Sequence, residues 1–286
     1  MNFNALKNKS SFDKLTKALD VLSKGQGASS ADSRFWQPDV DKAGNGFAVI
    51  RFLDAPAVDG EDGMPWVQLF NHGFQGPGGW YIENCPTTMQ GHKCPVCEKN
   101  TELWNSGIEA NKDIVRQRKR KLSYISNIMV VKDAAHPENE GKVFLYKFGK
   151  KIFDKIKEKL EPQFEDEEAI NPFNFWKGAN FKLKIRNVEG YRNYDKSEFD
   201  NPSPIDLDDE VIEKIWKDSY SLKDFVKASE FKSYDELLQK RDRVLGAAPA
   251  PRTKNAESME LEEEVNTQSG SEDDEALSYF NKLAGE

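Results

Sequence analysis

The chain has 286 residues, of which 31% are charged and 37% hydrophobic, and its net charge is −8. This length suits one large or two modest domains, and the composition is too polar for the whole chain to be packed core. Its longest apolar runs, such as residues 128–131, are too short to cross a membrane, and the N-terminus lacks the apolar stretch of a secretory signal.

Residues 1–24 read as a basic arm in which Phe12, Leu15, Leu19 and Leu22 recur at helical spacing, with Ser10 or Ser11 able to cap its start. Residues 25–33, GQGASSADS, read as a flexible linker, and a compact body is expected over 34–246. Strands are predicted over 46–53, 123–133, 141–149 and 179–188, where β-branched and aromatic residues run between Gly-, Asp- and Pro-rich breaks. The last of these alternates Phe181, Leu183 and Ile185 with Lys182, Lys184 and Arg186, one apolar face against one cationic face. Helices are predicted over 150–160, 208–217 and 234–245, the last with a capping box, Ser233 with Glu236, and Gly246 as its stop. Several strands with few helices between them predict a mainly β fold, a small barrel with helical additions, rather than a parallel α/β sheet.

Residues 247–286 carry ten acidic and three basic residues, a net of −7, which leaves about −1 for residues 1–246. This acidic segment is expected to be mostly disordered, apart from Leu277, Phe280 and Leu283, which recur every three residues near its end. The overall charge is therefore a poor guide to the body, where residues 112–121 hold six basic residues against Asp113.

All three cysteines, Cys85, Cys94 and Cys97, fall within 13 residues, with two histidines, His72 and His92, nearby. An odd, clustered set does not make a disulfide framework, and the Cys94-x-x-Cys97 spacing lets two thiolates grip one ion. The pattern predicts one structural Zn²⁺. Either histidine could complete four ligands. His92 lies two residues from Cys94 and would force a cramped loop, whereas His72 would close a larger loop joining two elements, so His72 is preferred. Catalysis by a deaminase-type zinc needs H-x-E before P-C-x-x-C, and neither histidine is followed by that Glu. No enzyme is predicted.

The run RQRKRKLSYISN, residues 116–127, sets five cations before Tyr124, and aromatic residues stand in polar segments at Trp80, Tyr81, Trp104, Tyr191 and Tyr194. A charge run alone is usually a solvated face. Combined with rings in polar surroundings, it matches proteins that bind single-stranded nucleic acid, where cations track phosphates and bases stack on rings. The alternative is a zinc-ribbon protein–protein adaptor with no strand binding.

The segments NGFAVIRFL, NHGF, GGWYIENC, CPVC, RKRKLSYISNIMVVKD, PENEGKVFLYKFGKKIFDKI and ANFKLKIRNVEGYRNYDKS cover most of residues 44–196. In combination they resemble the single-stranded DNA-binding, helix-destabilising protein family of T-even-type bacteriophages, the gene thirty-two family. That resemblance implies an OB-fold core, a five-stranded barrel, with an inserted zinc subdomain over about 64–105 that holds zinc through His72, Cys85, Cys94 and Cys97. It implies that DNA contacts fall on Arg118, Lys119, Arg120, Lys121, Tyr124, Tyr146, Tyr191 and Tyr194, with Trp80, Tyr81 and Trp104 beside them. The basic arm, through Lys7, Lys9, Ser10 and Ser11, is implied to drive cooperative self-association along DNA. The acidic tail is implied to recruit replication and recombination proteins and to compete with DNA. The implied role is to coat and protect single-stranded DNA and remove its secondary structure during replication, recombination and repair, in the cytoplasm of an infected bacterial host and without a membrane partner.

Overall fold

The computed structural model describes residues 32–164 and 167–246. The arm with Lys7, Lys9, Ser10 and Ser11, most of the linker, and the 247–286 segment lie outside the described residues.

In chain order the elements are β1 (Gly46–Phe52), β2 (Val67–Gly76), β3 (Gly79–Asn84), α1 (Pro95–Asn105), α2 (Glu109–Arg118), β4 (Lys121–Lys132), β5 (Val143–Phe148), α3 (Lys150–Leu160), β6 (Phe181–Val188), β7 (Tyr191–Asn193), β8 (Glu198–Phe199), α4 (Asp209–Asp218) and α5 (Tyr234–Val244). The eight strands form an antiparallel sheet ordered β3-β2-β4-β1-β6-β7, with β5 paired to β4 and β8 to β6.

Strand β4 organises this sheet because it is long enough to serve three partners. Along one edge its first half pairs with β2, Val67 opposite Ile125, and its second half with β1, Phe52 opposite Ile128. Its other edge pairs with β5, Tyr124 opposite Phe148. Where the edge passes from β2 to β1, two buried polar residues supply the bonds the ladder omits. Ser126 donates to the Pro65 carbonyl, and the Asn127 amide exchanges bonds of 2.8 and 3.0 Å with the backbone of Tyr220.

The largest core cluster lies on one face of β1, β4, β5 and β6, with Ile50, Phe52, Ile128, Phe148 and Phe181 at its centre. Helix α3 closes it through Ile152 and Ile156, one turn apart. On β6, Phe181, Leu183 and Ile185 are buried as the alternation predicts. The opposite face is not free cation: Lys182 pairs with Asp200, and Lys184 with Glu198 at 2.7 Å, both acids brought alongside by the β8 pairing.

Strand β1 carries the fully buried Arg51, whose guanidinium donates to the carbonyls of Asn174 (2.8 Å), Phe175 (3.3 Å) and Ser203 (2.9 Å). Arg51→Met keeps most of the stem volume but strips the partners from these carbonyls. Each orphaned buried polar group costs about 1–3 kcal/mol, and some will recover water, so a loss of about 2–3 kcal/mol is expected. Thermal or urea unfolding checks it, and a loss under about 1 kcal/mol would show that the guanidinium does not hold this loop.

A second cluster forms where β2, β3 and α1 pack beneath α5, joining Phe74, Tyr81 and Val96 to Leu237 and Val244. Helix α5 begins with the expected capping box, Ser233 with Glu236, and stops at Gly246 with φ 73°. It clasps the β2–β3 hairpin. Lys240, and Lys232 just before the helix, each reach Glu83 at 2.5 Å, and Gly78 N–H donates to the Val244 carbonyl at 2.8 Å. Gly76 and Gly78 allow this approach, since a Cβ at either would collide with the backbone carbonyls of Val244 and Arg243.

Candidate metal centre and cationic strand

Four side chains from three pieces of this second region converge: a strand, the residue after its hairpin partner and the start of one helix. His72 stands in the middle of β2. Cys85 follows β3, Cys94 is the N-cap of α1, and Cys97 lies in its first turn. Pro95 at the first helical position fixes the backbone there, so the Cys94 and Cys97 sulfurs point the same way from a helix N-terminus, a setting that favours thiolates. All four residues are buried and their ligand atoms lie within 4.8 Å of one another. His72 Nε2 is 3.4 Å from Cys97 Sγ and 3.6 Å from Cys94 Sγ, and Cys85 Sγ is 3.6 Å from Cys97 Sγ. Ligands at zinc-like bond lengths in a tetrahedron would stand roughly 3.3–3.8 Å apart, so the donor set fits a metal ion. His92 is exposed and outside the cluster.

The surroundings orient these ligands. The Arg118 carbonyl lies 2.9 Å from His72 Nδ1 and also accepts from Asn100 Nδ2 at 3.2 Å. A carbonyl can only accept, so Nδ1 carries the proton and Nε2 is left with its lone pair toward the sulfurs. Metal-free, the four groups conflict electrostatically. Burial opposes a charged His72, but hydrogen bonds to the Cys85 and Cys94 sulfurs outweigh it and raise the imidazole to about 9. Hydrogen bonds with Cys94 and Cys97 drive the Cys85 thiol down, while hydrogen bonds with Cys85 and Cys94, together with burial, drive Cys97 up. A dication held by the cluster would remove that conflict by displacing the protons.

The cationic run starts where this cluster ends. Helix α2 uses part of the charge internally: Glu109 pairs with Lys112 at 3.1 Å and Asp113 with Arg116 at 2.5 Å. Arg118, Lys119, Arg120 and Lys121 then lead from the end of α2 into β4. Arg118 lies over the Phe74 ring at 5.7 Å and Arg120 over the Phe70 ring at 3.9 Å, contacts that hold a guanidinium by both dispersion and charge.

The aromatic candidates divide. Trp80, Trp104, Tyr191 and Tyr194 are half-buried. Trp104 is already flanked by Lys112 and Arg116 at 5.7 and 5.8 Å. Tyr124 and Tyr146 are buried. Tyr124 stacks on Phe153 at 3.9 Å, and Tyr146 meets Trp36 edge-on at 5.6 Å. Burial, with the nearby Tyr194 adding to it, pushes the Tyr146 phenol up. Tyr81 is a correction. The reading of its ring as exposed in a polar segment fails, because it is fully buried, stacked on Phe74 at 4.9 Å and edge-on to His72 at 6.3 Å. Its immediate neighbours Trp80 and Ile82 alternate to the other side of the strand, Ile82 exposed, while Tyr81 itself packs into the second core cluster. Pairing of β4 with β5 and of β6 with β7 places Tyr146 opposite Ser126 and Tyr191 opposite Val188. From Lys121 to Ser126 is roughly 17 Å of extended strand.

Sequence reasoning missed Phe70, Phe74, Asn100 and Thr87, which support the cations and ligands. Phe70, Phe74 and Asn100 act through residues distant in the chain, and so does Thr87 toward Arg120, so their spacing does not announce these contacts.

These features define a class: a mainly antiparallel β protein with a buried Cys₃His cluster clasped beside a strand headed by cations. Within that class the chain belongs to the family described as gp32 DNA binding protein like, whose family profile matches residues 44–245. It is 42% identical over 248 residues to the single-stranded DNA-binding protein of Enterobacteria phage T2, covering 85% of this chain and 80% of that one. It is 43% identical over 240 residues to the single-stranded DNA-binding protein of Enterobacteria phage T4, covering 82% and 77%. A third relative, the single-stranded DNA-binding protein of Enterobacteria phage RB70, is 40% identical over 121 residues, 41% of this chain and 97% of its own.

Proposed function

We propose that this chain is a non-catalytic protein that binds single-stranded DNA without sequence preference, coats it cooperatively and removes its secondary structure. The observation that carries this reading is the run of four cations, Arg118 to Lys121, opening the strand that leads to Tyr124 and the Tyr146 pairing site. Phosphates would lie along the cations, and bases would stack on the half-buried residues Trp80, Trp104, Tyr191 and Tyr194, with the buried Tyr124 and Tyr146 supporting the strands beneath. The strands that curl around the main core are read as an OB-fold barrel, and the β2–α2 insertion with α5 as its metal module.

The metal is read as a single structural Zn²⁺, since three sulfurs and one imidazole suit it and four protein ligands leave no open position for catalysis. The basic arm, with Lys7, Lys9, Ser10 and Ser11, is read as the element of self-association along DNA. The acidic 247–286 segment is read as the recruiter of replication and recombination proteins inside the infected host cell.

A fluorescence titration with oligo(dT) at several salt concentrations tests the function. Stacking on Trp and Tyr is expected to quench emission, and the affinity to fall steeply with salt, by about 0.7 log units per phosphate contact for each tenfold rise. Unchanged emission and no salt-dependent binding would favour the adaptor reading instead.

A further inference from the structure

Two hydrogen-bond relays run from the metal ligands to the cationic strand. One is His72 Nδ1 to the Arg118 carbonyl at 2.9 Å. The other passes through a side chain to which neither the motifs nor the family likeness assigns a role. Thr87 Oγ1 lies 3.1 Å from Cys85 Sγ and accepts from Arg120 Nη1 at 2.5 Å. Because that oxygen already accepts from the guanidinium, its own proton is free to point to the sulfur. A metal-bound thiolate can only accept, so the chain of donors runs one way: Arg120 to Thr87 to Cys85. Arg120 is then held twice, by this bond below and by the Phe70 ring 3.9 Å from its guanidinium carbon.

The adjacent threonine has a different task. Thr88 Oγ1 accepts from the Phe70 N–H at 2.9 Å and ties the short 3₁₀ turn Pro86–Thr88 to β2. The two hydroxyls are therefore separable, one anchoring the turn and one joining the metal site to a cation.

We propose that Thr87 is a positioning residue for strand binding: it aims the Arg120 guanidinium at phosphate and, from its other side, supports the Cys85 thiolate in the metal shell. A long arginine held in advance loses less rotamer freedom when a phosphate arrives, so the benefit appears as affinity rather than as stability. The proposal rests on the single-stranded DNA reading above. It goes further by making the metal module part of the binding surface instead of a remote brace.

The test compares Thr87→Val, Thr87→Ser, Arg120→Gln and the Thr87→Val/Arg120→Gln double variant in full-length protein with excess zinc, titrated with oligo(dT) across salt. In Thr87→Val we expect the log–log salt slope to fall by up to about 0.7 and affinity to drop about 5-fold at 0.1 M salt. Thr87→Ser should restore both. In the Arg120→Gln background, Thr87→Val should add nothing, since it acts through that arginine. Separately, a chelator should draw metal from Thr87→Val about 10-fold faster than from wild type, with no DNA present, because an outer-shell partner of a ligand has been lost. Wild-type slope and affinity in Thr87→Val, or an equal further loss on top of Arg120→Gln, would overturn the proposal. If the wild type itself fails to bind oligo(dT), the DNA reading falls; the relay to Cys85 is then judged by metal release alone, and an unchanged rate overturns it.

Discussion

If the cluster of His72, Cys85, Cys94 and Cys97 holds the proposed Zn²⁺, stripping that ion is expected to lower the thermal midpoint by roughly 8–16 °C. A ligand present at a thousand times its dissociation constant stabilises the folded state by about 4 kcal/mol. For a folded body of this size each kcal/mol shifts the midpoint by about 2–4 °C. The loss should be local before it is global, because the second core cluster is built partly from the ligands themselves: Cys85, Cys94 and Cys97 pack against Phe74, Tyr81, Val96 and Leu237. Metal-free, the cluster keeps a protonated His72 at about 9 and a Cys97 thiol driven up, so metal uptake must release protons. The sign follows: protons compete with the metal, so its stabilisation is present at neutral pH and lost as pH falls. Differential scanning calorimetry with and without a chelator, repeated at two pH values, measures both effects. A midpoint unmoved by complete metal removal would show that α5 and the hairpin hold this region without it.

The sequence made the candidate metal site legible because its chemistry is local. Cys94 and Cys97 sit as N-cap and first turn of one helix, a spacing that the C-P-x-C segment writes directly. The choice of His72 over His92 followed from loop size alone, and the structure brings His72 into the cluster. What orients it could not be read, since the Arg118 carbonyl is 46 residues away and a backbone acceptor has no sequence signature. The same distinction runs through the fold. Strands β1, β4, β5 and β6 match their expected segments closely because their apolar residues run or alternate, and α5 because its capping box is explicit. Helices α1 and α2 went unread. Helix α2 buries only Val115 fully, so no apolar stripe marks it, and the side-chain pairs from Glu109 and Asp113 that support it read in sequence as part of a charge run. The cationic face of β6 is legible as residues, but its acidic partners are not, because they lie in and beside a two-residue strand, β8. Tyr81 shows a further limit. A ring flanked by Gly, Glu and Asn looks exposed in one dimension, yet a strand sends alternate residues to opposite faces, and its inner face was buried by a helix 150 residues later.

Neutralising Arg118, Lys119, Arg120 and Lys121 together, each to Gln, is expected to weaken oligo(dT) binding about 600-fold at 0.1 M salt. Each phosphate contact on a single strand contributes about 0.7 to the log–log salt slope, so referred to 1 M salt each is worth about 5-fold at 0.1 M, and four multiply to that figure. The slope itself should fall by about 2.8. Its change is the stronger diagnostic, because a variant that merely misfolds loses affinity at every salt concentration without telling how many counterions were displaced. Arg118 and Arg120 also lie over the rings of Phe74 and Phe70, so part of their loss could come from packing. The single variant Lys121→Gln removes that ambiguity, because Lys121 is exposed at the head of β4 and lies over neither of those two rings, whereas the Lys119 Nζ is buried. It should lose about 5-fold in affinity and about 0.7 in slope, with metal content and thermal midpoint unchanged. If instead both variants bind with the wild-type slope, the strand does not run along β4, and the phosphate path must be sought among the cations of α3 or β7.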